Sequence, residues 1–134
     1  MAKESGIGMT IAVDDSGGSA RTISNDITDW SLSTPRGVQD ITGLDKSARE
    51  TLLLLADFTC TLNGVFDDAA NVAHAVFATV PSSSVARTVT ITISGQSLPN
   101  ETFFTDYALT RATTGELTWT APGQLTGGTV PTWA

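Results

Sequence analysis

The residue types that could carry out catalysis or bind a metal are few in this chain, and their spacing suits neither role. His74 is the only histidine and Cys60 the only cysteine, so neither has a sequence neighbour with which to form a zinc site or a nucleophile–base pair. The segment from Gly43 to Ser47 ends in Lys-Ser, but it lacks the glycine that directly precedes the lysine of a phosphate-binding loop. These residues predict a protein that is not an enzyme and has no metal or other cofactor.

The remaining reactive or acidic groups have structural explanations. The pairs Asp14-Asp15 and Asp67-Asp68 lack the alternating oxygen ligands of a calcium loop, so we expect them in a turn and at a helix N-terminus. Cys60 falls on the apolar face of a predicted strand, where it acts as a small core residue.

The composition indicates a globular chain with a single domain over residues 1–134. Its 134 residues are 40% hydrophobic, which is enough to bury a core. Fourteen acidic and seven basic residues give a net charge of −7. The basic residues do not cluster, which argues against a nucleic-acid-binding surface. The longest apolar run, 52–56, is far shorter than the ~20 residues of a membrane span, so we expect no membrane association.

Two-residue alternation of apolar and polar side chains predicts a mainly β fold. It places Leu54, Phe58 and Cys60 on the core face of one strand, and Phe103, Tyr107 and Leu109 together on one side of a later one. Another strand, over 85–94, has a threonine-rich face opposite its valines and isoleucines. The predicted strands cover 9–14, 20–24, 27–33, 51–62, 85–94, 102–112 and 117–121.

One segment changes to the three-to-four-residue spacing of an amphipathic helix. This spacing predicts a single helix over about residues 68–79, capped by Asp67-Asp68 and stopped by Pro81. We expect Val72, Val76 and Phe77 to pack against the sheet. The predicted architecture is therefore a small β-sandwich or half-barrel with one flanking α-helix.

Three segments lack a clear period and are expected to make contacts. Residues 1–7 are predicted to form an N-terminal arm, 35–50 a long contact loop, and 122–134 an extended C-terminal tail. Loops as long as 35–50 are usually functional or ordered by a partner. The candidate subunit-contact residues are Pro35, Arg36, Gln39, Asp40, Thr42, Asp45, Lys46 and Arg49, and the candidate docking residues of the tail are Leu125, Val130 and Trp133.

Four motifs, taken in their order along the chain, carry a family resemblance. They are Asp40-Ile41-Thr42-Gly43, a strand ending in Leu62-Asn63-Gly64-Val65-Phe66-Asp67-Asp68, a short helix, and a tail from Leu117-Thr118-Trp119 to Gly127-Gly128-Thr129-Val130-Pro131-Thr132-Trp133. In this order they resemble the major tail tube proteins of long non-contractile-tailed bacteriophages, the siphovirus type. The resemblance covers most of the chain. It implies a tail-tube-like β fold in which six subunits join their sheets into a ring, and rings stack into a tube that the genome passes through.

The same resemblance implies where the protein works and what it contacts. It implies a virion protein, made in the host bacterial cytoplasm, that binds copies of itself and the tape measure, tail tip and tail terminator proteins. Viral DNA would pass through the tube without specific binding, because a hexamer with six times the net charge of −7, or −42, would repel phosphates. Asp57, Asp106 and Glu116 are the candidate acids of the lumen wall.

Two other functions fit the same pattern of elements. Another small β virion protein, such as a capsid decoration or tail terminator subunit, would have similar architecture without polymerising into long tubes. A carbohydrate-binding β-sandwich would present Trp30, Trp119 or Trp133 as a stacking platform for a sugar ring.

Overall fold

A computed structural model describes residues 5–134, and antiparallel strands dominate this part of the chain. The predicted mainly β class with one flanking helix is therefore confirmed. The elements in chain order are β1 (Thr10–Asp14), β2 (Ala20–Thr22), a 3₁₀ turn (Ser24–Asp26), β3 (Ile27–Ser33), β4 (Arg36–Asp40), β5 (Thr51–Ala56), β6 (Thr59–Val65), α1 (Ala73–Phe77), β7 (Arg87–Ile93), β8 (Gln96–Phe104), β9 (Ala108–Arg111) and β10 (Leu117–Leu125).

Eight of the strands form one curved sheet, and the other two form a separate hairpin. The main sheet has the order β2-β1-β7-β8-β10-β6-β3, and β9 also pairs with β10, whereas β4 and β5 pair only with each other. The sheet curves enough for its two ends to approach, because Trp30 Nε1 on β3 donates to Met9 Sδ, next to β1, at 2.9 Å. This curvature gives the half-barrel form expected from the sequence.

The concave face of the main sheet carries the core. Alternate residues of β1, β6, β7 and β10 point to it, as the two-residue period of a strand requires. The largest fully buried side chains on this face include those of Phe58, Trp119 and Arg87. Arg87 is the one buried base among residues 5–134, and it donates to the carbonyl oxygens of Val76 and Asp14 at 2.8 and 3.1 Å. Burial lowers the pKa of Arg87.

The helix is shorter than predicted. The expected span of about 68–79 is wrong at both ends, because α1 covers only Ala73–Phe77. Asn71 adopts a left-handed conformation with φ 63°, which a continuing right-handed helix cannot contain. The predicted cap is also wrong, because Asp67 Oδ1 accepts instead from the backbone N–H of Ala69 in a turn. Val76 and Phe77 are fully buried, as predicted.

The carboxylate at the start of α1 comes from a distant part of the chain. Asp26 Oδ2 accepts a hydrogen bond from the Ala73 N–H at 3.2 Å, and its residue is only 3% exposed. Burial raises the pKa of Asp26 above the ordinary value of 3.8, the Ala73 N–H opposes the rise, and the neighbouring Asp67 carboxyl adds to it. Burial raises the pKa of Tyr107, and the charge of Asp26 adds to the rise.

We expect the ionisation of Asp26 to lower the free energy of unfolding as the pH rises. The folded state binds this proton more tightly than the unfolded chain, so the free energy of unfolding falls between pH 3.8 and the raised pKa. Asp26→Asn keeps the oxygen acceptor for the Ala73 N–H but does not titrate. The free energy of unfolding of this variant should therefore not show the decrease over this pH range. Urea unfolding of both proteins from about pH 4 to about pH 7 measures it, and parallel profiles would contradict the assignment.

Two long predicted strands are each divided in the structure. The strand expected over 51–62 breaks at Asp57 into β5 and β6, and Leu54 is 44% exposed rather than in the core. The strand expected over 102–112 begins earlier, at Gln96, because the turn lies at Ser94-Gly95, where both residues have positive φ. This shift places Phe104 in the core and leaves Phe103 42% exposed.

The three segments that lack a clear hydrophobic period, 1–7, 35–50 and 122–134, also differ from the arm, loop and tail predicted for them. The predicted loop 35–50 contains β4, so only residues 41–50 connect strands. The predicted extended tail 122–134 begins inside β10, which runs to Leu125. Residues 1–4 of the predicted arm 1–7 lie outside the described residues, while Gly6 accepts a backbone bond from Met9 in a turn.

Candidate functional site

The convex face of the main sheet is polar and rich in hydroxyl groups. The β7 residues Thr88, Thr90 and Thr92 are half-exposed on this face, and the strand register aligns them with further polar residues on the neighbouring strands. We call this surface the hydroxyl face; its hydroxyl residues are Thr10, Thr22, Ser31, Ser33, Thr59, Thr61, Thr88, Thr90, Thr92, Ser97, Thr110, Thr118 and Thr120.

Side-chain hydrogen bonds connect the hydroxyl face across three strands. Asn63 on β6 donates from Nδ2 to Asp29 Oδ1 on β3 at 2.6 Å, and Thr120 on β10 donates to Asn63 Oδ1 at 2.8 Å. On the same face, Thr88 on β7 donates to the carboxylate of Glu101 on β8. These bonds fix an ordered polar surface.

The hydroxyl face carries acids but no base among its strand residues within 5–134. The register places Asp14, Asp29 and Glu101 on it, whereas Arg21 and Arg87 alternate onto the opposite side. Arg21 forms a salt bridge with Asp15, in which Nε lies 3.1 Å from Oδ2. A polyanion meeting this face would find hydroxyls and carboxylates but no cation.

The hairpin of β4 and β5 forms a second surface, which we call the arm (residues 36–56). Every residue of β4, and all of β5 except its last, is exposed. The exposed side chains include consecutive leucines, and the loop residue Leu44 is fully exposed. Monomers rarely expose contiguous apolar surface of this kind without a binding role.

An open apolar groove lies at the base of the arm. Its volume is about 870 Å³, and Val130 and Pro131 of the C-terminal segment form one side of it. The opposite side is formed by Leu53, Leu54 and Leu55. The groove is therefore continuous with the exposed leucines.

The predicted contact residues divide between the strand and the loop of the arm. Arg36, Gln39 and Asp40 lie on β4, Pro35 precedes it, and the remainder lie in the connecting loop, namely Thr42, Asp45, Lys46 and Arg49.

Local hydrogen bonds and an ion pair connect residues within the arm. Arg36 donates from Nε and Nη2 to the Leu54 carbonyl at 3.0 and 2.8 Å. Asp40 accepts from the Thr42 N–H at 2.9 Å and from its hydroxyl, and these bonds lower the pKa of Asp40. Lys46 Nζ lies 3.5 Å from Glu50 Oε1.

The three candidate lumen acids are exposed but are not clustered. Glu116 directly precedes the first residue of β10. Asp57 lies near the other end of that strand, because the carbonyl of the next residue, Phe58, accepts a hydrogen bond from the Leu125 N–H. Asp106 follows Thr105, whose backbone N–H donates to the Pro122 carbonyl within β10. All three lie in connections between strands rather than on the hydroxyl face.

The tail residues occupy different environments. Leu125 packs partly against the core, whereas Val130 is 63% exposed in the groove. Trp133 is 47% exposed beside Ile93, and the next residue pairs with Ser97 through two backbone bonds of 2.8 Å. The end of the chain is therefore docked along β8.

The histidine, the cysteine and the tryptophans differ in how far the fold buries them. No group of acids, histidines or cysteines in residues 5–134 is arranged to hold a metal ion. Burial raises the pKa of the Cys60 thiol to about 12, and His74 Nδ1 lies 3.2 Å from the Tyr107 hydroxyl. Trp119 is buried and Trp30 is half-buried, whereas Trp133 is exposed, so Trp133 is the tryptophan whose ring a sugar could reach.

No helix in the described part of the chain has the length and apolar character needed to cross a bilayer.

Sequence reasoning missed the exposed leucines, which are the most unusual feature of the surface. The available signal was the unbroken run from Leu52 to Leu55, since a half-buried strand alternates and a run without alternation marks a strand covered on both faces.

The fold is shared with solved structures, whereas no protein-family model and no curated protein matches the chain. One similar chain belongs to the structure "Virion of native gene transfer agent (GTA) particle", with a TM-score of 0.79 and 17% identity over 97% of this chain and 99% of that one. Another belongs to "Tail of empty GTA particle computed with helical refinement, C6 symmetry", with a TM-score of 0.81 and 16% identity over 98% of both chains. The predicted tail-tube-like fold is thereby confirmed.

Proposed function

We propose that the protein is a structural subunit of a phage-type tail tube, in which six copies form a ring and rings stack into a conduit for DNA. The observation that carries this proposal is the shared fold, over nearly the full length of both chains, with a chain of a C6-symmetric helical tail. The match covers 98% of both chains, so the likeness extends over the whole fold rather than one part of it.

The arm supports self-association. Its exposed leucines and the groove at its base form an apolar surface that the single chain leaves open, and burying apolar surface is the main driving force of protein association. The candidate contact residues Arg36 to Arg49 lie on this same element. In this proposal the arm provides contacts between copies.

The hydroxyl face is the proposed wall of the conduit. Its opposite face is filled by the core and α1, so the hydroxyl face is the broad side of the sheet that remains free. A wall of hydroxyls and carboxylates gives phosphates no cation to bind, so DNA slides without adhesion. Asp57 and Glu116, at opposite ends of β10, would then lie toward the two rims of the wall, and Asp106 between them.

Further contacts are proposed with the tail proteins that begin, fill and end such a tube. A tape measure protein would occupy the lumen before DNA, while tail tip and terminator proteins would cover the two ends. The proposed location is the virion, after synthesis in the host bacterial cytoplasm.

Assembly of the purified chain tests the proposed function. Sedimentation velocity over a range of concentrations, followed by negative-stain microscopy, should show stacked rings with sixfold symmetry. Rings that never stack would indicate a tail terminator instead. A monomer at all concentrations, also when seeded with preformed tail tips, would overturn the proposal.

A basic residue on the hydroxyl face should make the conduit bind DNA. Thr90 lies at the centre of this face between Ala12 and Pro99, so Thr90→Lys adds one cation per copy to the wall. Short duplex DNA should then co-sediment with the tubes at low salt and be released as salt is raised. The matched control is Ala75→Lys at an exposed position of α1, on the opposite side of the sheet, and equal DNA retention by both variants would contradict the assignment of the wall.

The same assay ranks the other acids. Asp57→Lys, Asp106→Lys and Glu116→Lys should leave tube assembly intact and retain DNA in proportion to how closely each residue borders the lumen.

A further inference from the structure

The connection between β6 and β7 is tied to the main sheet through side chains rather than through its backbone. In the part of the chain that the structure describes, the backbone hydrogen bonds of residues 67–86 stay within that segment. Its polar ties to the sheet lie at the two ends of α1. Asp26 accepts from the Ala73 N–H at 3.2 Å at the start, and Arg87 donates to the Val76 carbonyl at 2.8 Å at the end.

The tie at the start of α1 contains two carboxyl groups. The Asp67 carboxyl lies within hydrogen-bonding reach of the buried Asp26 carboxyl, and it also accepts from the Ala69 N–H at 3.0 Å. Within the described part of the chain neither acid forms a salt bridge with a base. The other titratable groups at this place are Tyr107, which senses the charge of Asp26, and His74, whose Nδ1 lies 3.2 Å from the Tyr107 hydroxyl.

A single proton determines whether these two carboxyls attract or repel each other. When one of them is protonated, its O–H donates to the other, which is a strong, charge-assisted hydrogen bond. When both are ionised, two like charges face each other in a site shielded from water, where repulsion is strong. Burial and the Asp67 carboxyl both raise the pKa of Asp26, as this repulsion requires.

The backbone that follows Asp67 separates the carboxyl pair from the firmly packed part of the helix. Residues 68–71 are exposed, and Asn71 has a left-handed φ of 63°, so this stretch does not continue the helix. Beyond it, Val76 and Phe77 are fully buried. The stretch before α1 can therefore leave the sheet while the end of α1 stays in the core.

We infer that Asp26 and Asp67 form a proton-operated clasp, which holds residues 67–72 and the start of α1 to the sheet when the pair shares one proton and releases them when both acids are ionised. The clasp is closed in acid and opens as the pH rises through the raised pKa of Asp26. It is a property of the single chain, so it does not depend on the proposed tube.

Hydrogen exchange measured by mass spectrometry from about pH 4 to about pH 7 tests the clasp. After correction for the intrinsic pH dependence of exchange, the opening of residues 68–73 should increase by up to about tenfold per pH unit above 3.8, and level off beyond the raised pKa, because opening releases one proton. The amide of Phe77 should stay protected throughout. Corrected exchange of residues 68–73 that does not change with pH would overturn the inference.

Asp67→Asn removes the repulsion but keeps the local structure. Its side-chain oxygen still accepts from the Ala69 N–H, and its amide can donate to ionised Asp26. The segment should therefore open about tenfold less often than in the wild type at pH 7. A pH dependence that persists in this variant would belong to another group, such as His74, and would overturn the clasp.

The matched control is Asp68→Asn, which removes the same charge from the next residue, where the side chain is exposed. Its exchange should follow the wild type at every pH. If Asp67→Asn and Asp68→Asn reduce opening equally, the effect comes from the general charge of the segment, and the assignment to the Asp26–Asp67 pair is wrong.

Discussion

Replacing Phe77 with alanine is expected to lower the free energy of unfolding by about 3–5 kcal/mol. The side chain is fully buried and joins the helix to the sheet. Its ring centroid lies 5.0 Å from that of Phe104, 5.5 Å from that of Tyr107 and 5.2 Å from that of Trp119. Truncation would leave a cavity among three aromatic rings that cannot collapse onto it, so the loss includes both transfer and cavity contributions.

Phe103→Ala is the matched control for this substitution. Phe103 lies on the hydroxyl face and is 42% exposed, so its removal should cost about 1 kcal/mol or less. Urea unfolding monitored by circular dichroism measures both values. Equal losses for Phe77→Ala and Phe103→Ala would contradict the position of the helix on the concave face.

Adding a single methyl group at Gly64 is expected to be about as damaging as removing the Phe77 ring. A Cβ at Gly64 would overlap the carbonyl oxygen of Asp26 and would lie 2.8 and 2.9 Å from two atoms of the Trp119 indole. The backbone and a large buried ring cannot both move aside. We expect Gly64→Ala to cost about 3 kcal/mol or more.

Gly17→Ala provides the control for Gly64→Ala. Gly17 lies in the turn after β1, does not have a positive φ, and a Cβ there would meet only Asp15 Oδ1 at an ordinary 3.4 Å. Its free energy of unfolding should change by about 0.5 kcal/mol at most. A Gly64→Ala protein that unfolds at the wild-type urea concentration would show that the Asp26 carbonyl and the Trp119 ring do not approach Gly64 as closely as the structure has them.

The sequence predicted strands whose buried face is apolar and whose other face is polar, and it failed where polar residues occupy the buried face or apolar residues occupy both faces. Strands β1, β3 and β7 follow a clear alternation, so their positions were predicted within one or two residues. The strand β8 was misplaced because the polar residues Asn100 and Thr102 occupy core positions, which hides its alternation. The break at Asp57 was missed for the opposite reason, since leucines fill both faces of β5.

The candidate site was only partly predictable for a similar reason. The sequence predicts that the segment of the arm makes contacts, because long loops in compact domains are usually functional or ordered by a partner. The hydroxyl face could not be assembled from the sequence, since it depends on the register of strands that are far apart in the chain. Thr120 on β10 and Asn63 on β6 illustrate this, being 57 residues apart and bonded to each other.

The bond between Asp26 and Ala73 has a consequence for the order in which the chain folds. A helix of five residues does not persist by itself in water, because nucleating the first turn is unfavourable. Its N-terminal acceptor arrives from 47 residues earlier in the chain, and its C-terminal carbonyl at Val76 is bonded by Arg87 at the start of β7. The helix therefore forms late, after distant strands have met, and the slow closure of such long loops should set the folding rate.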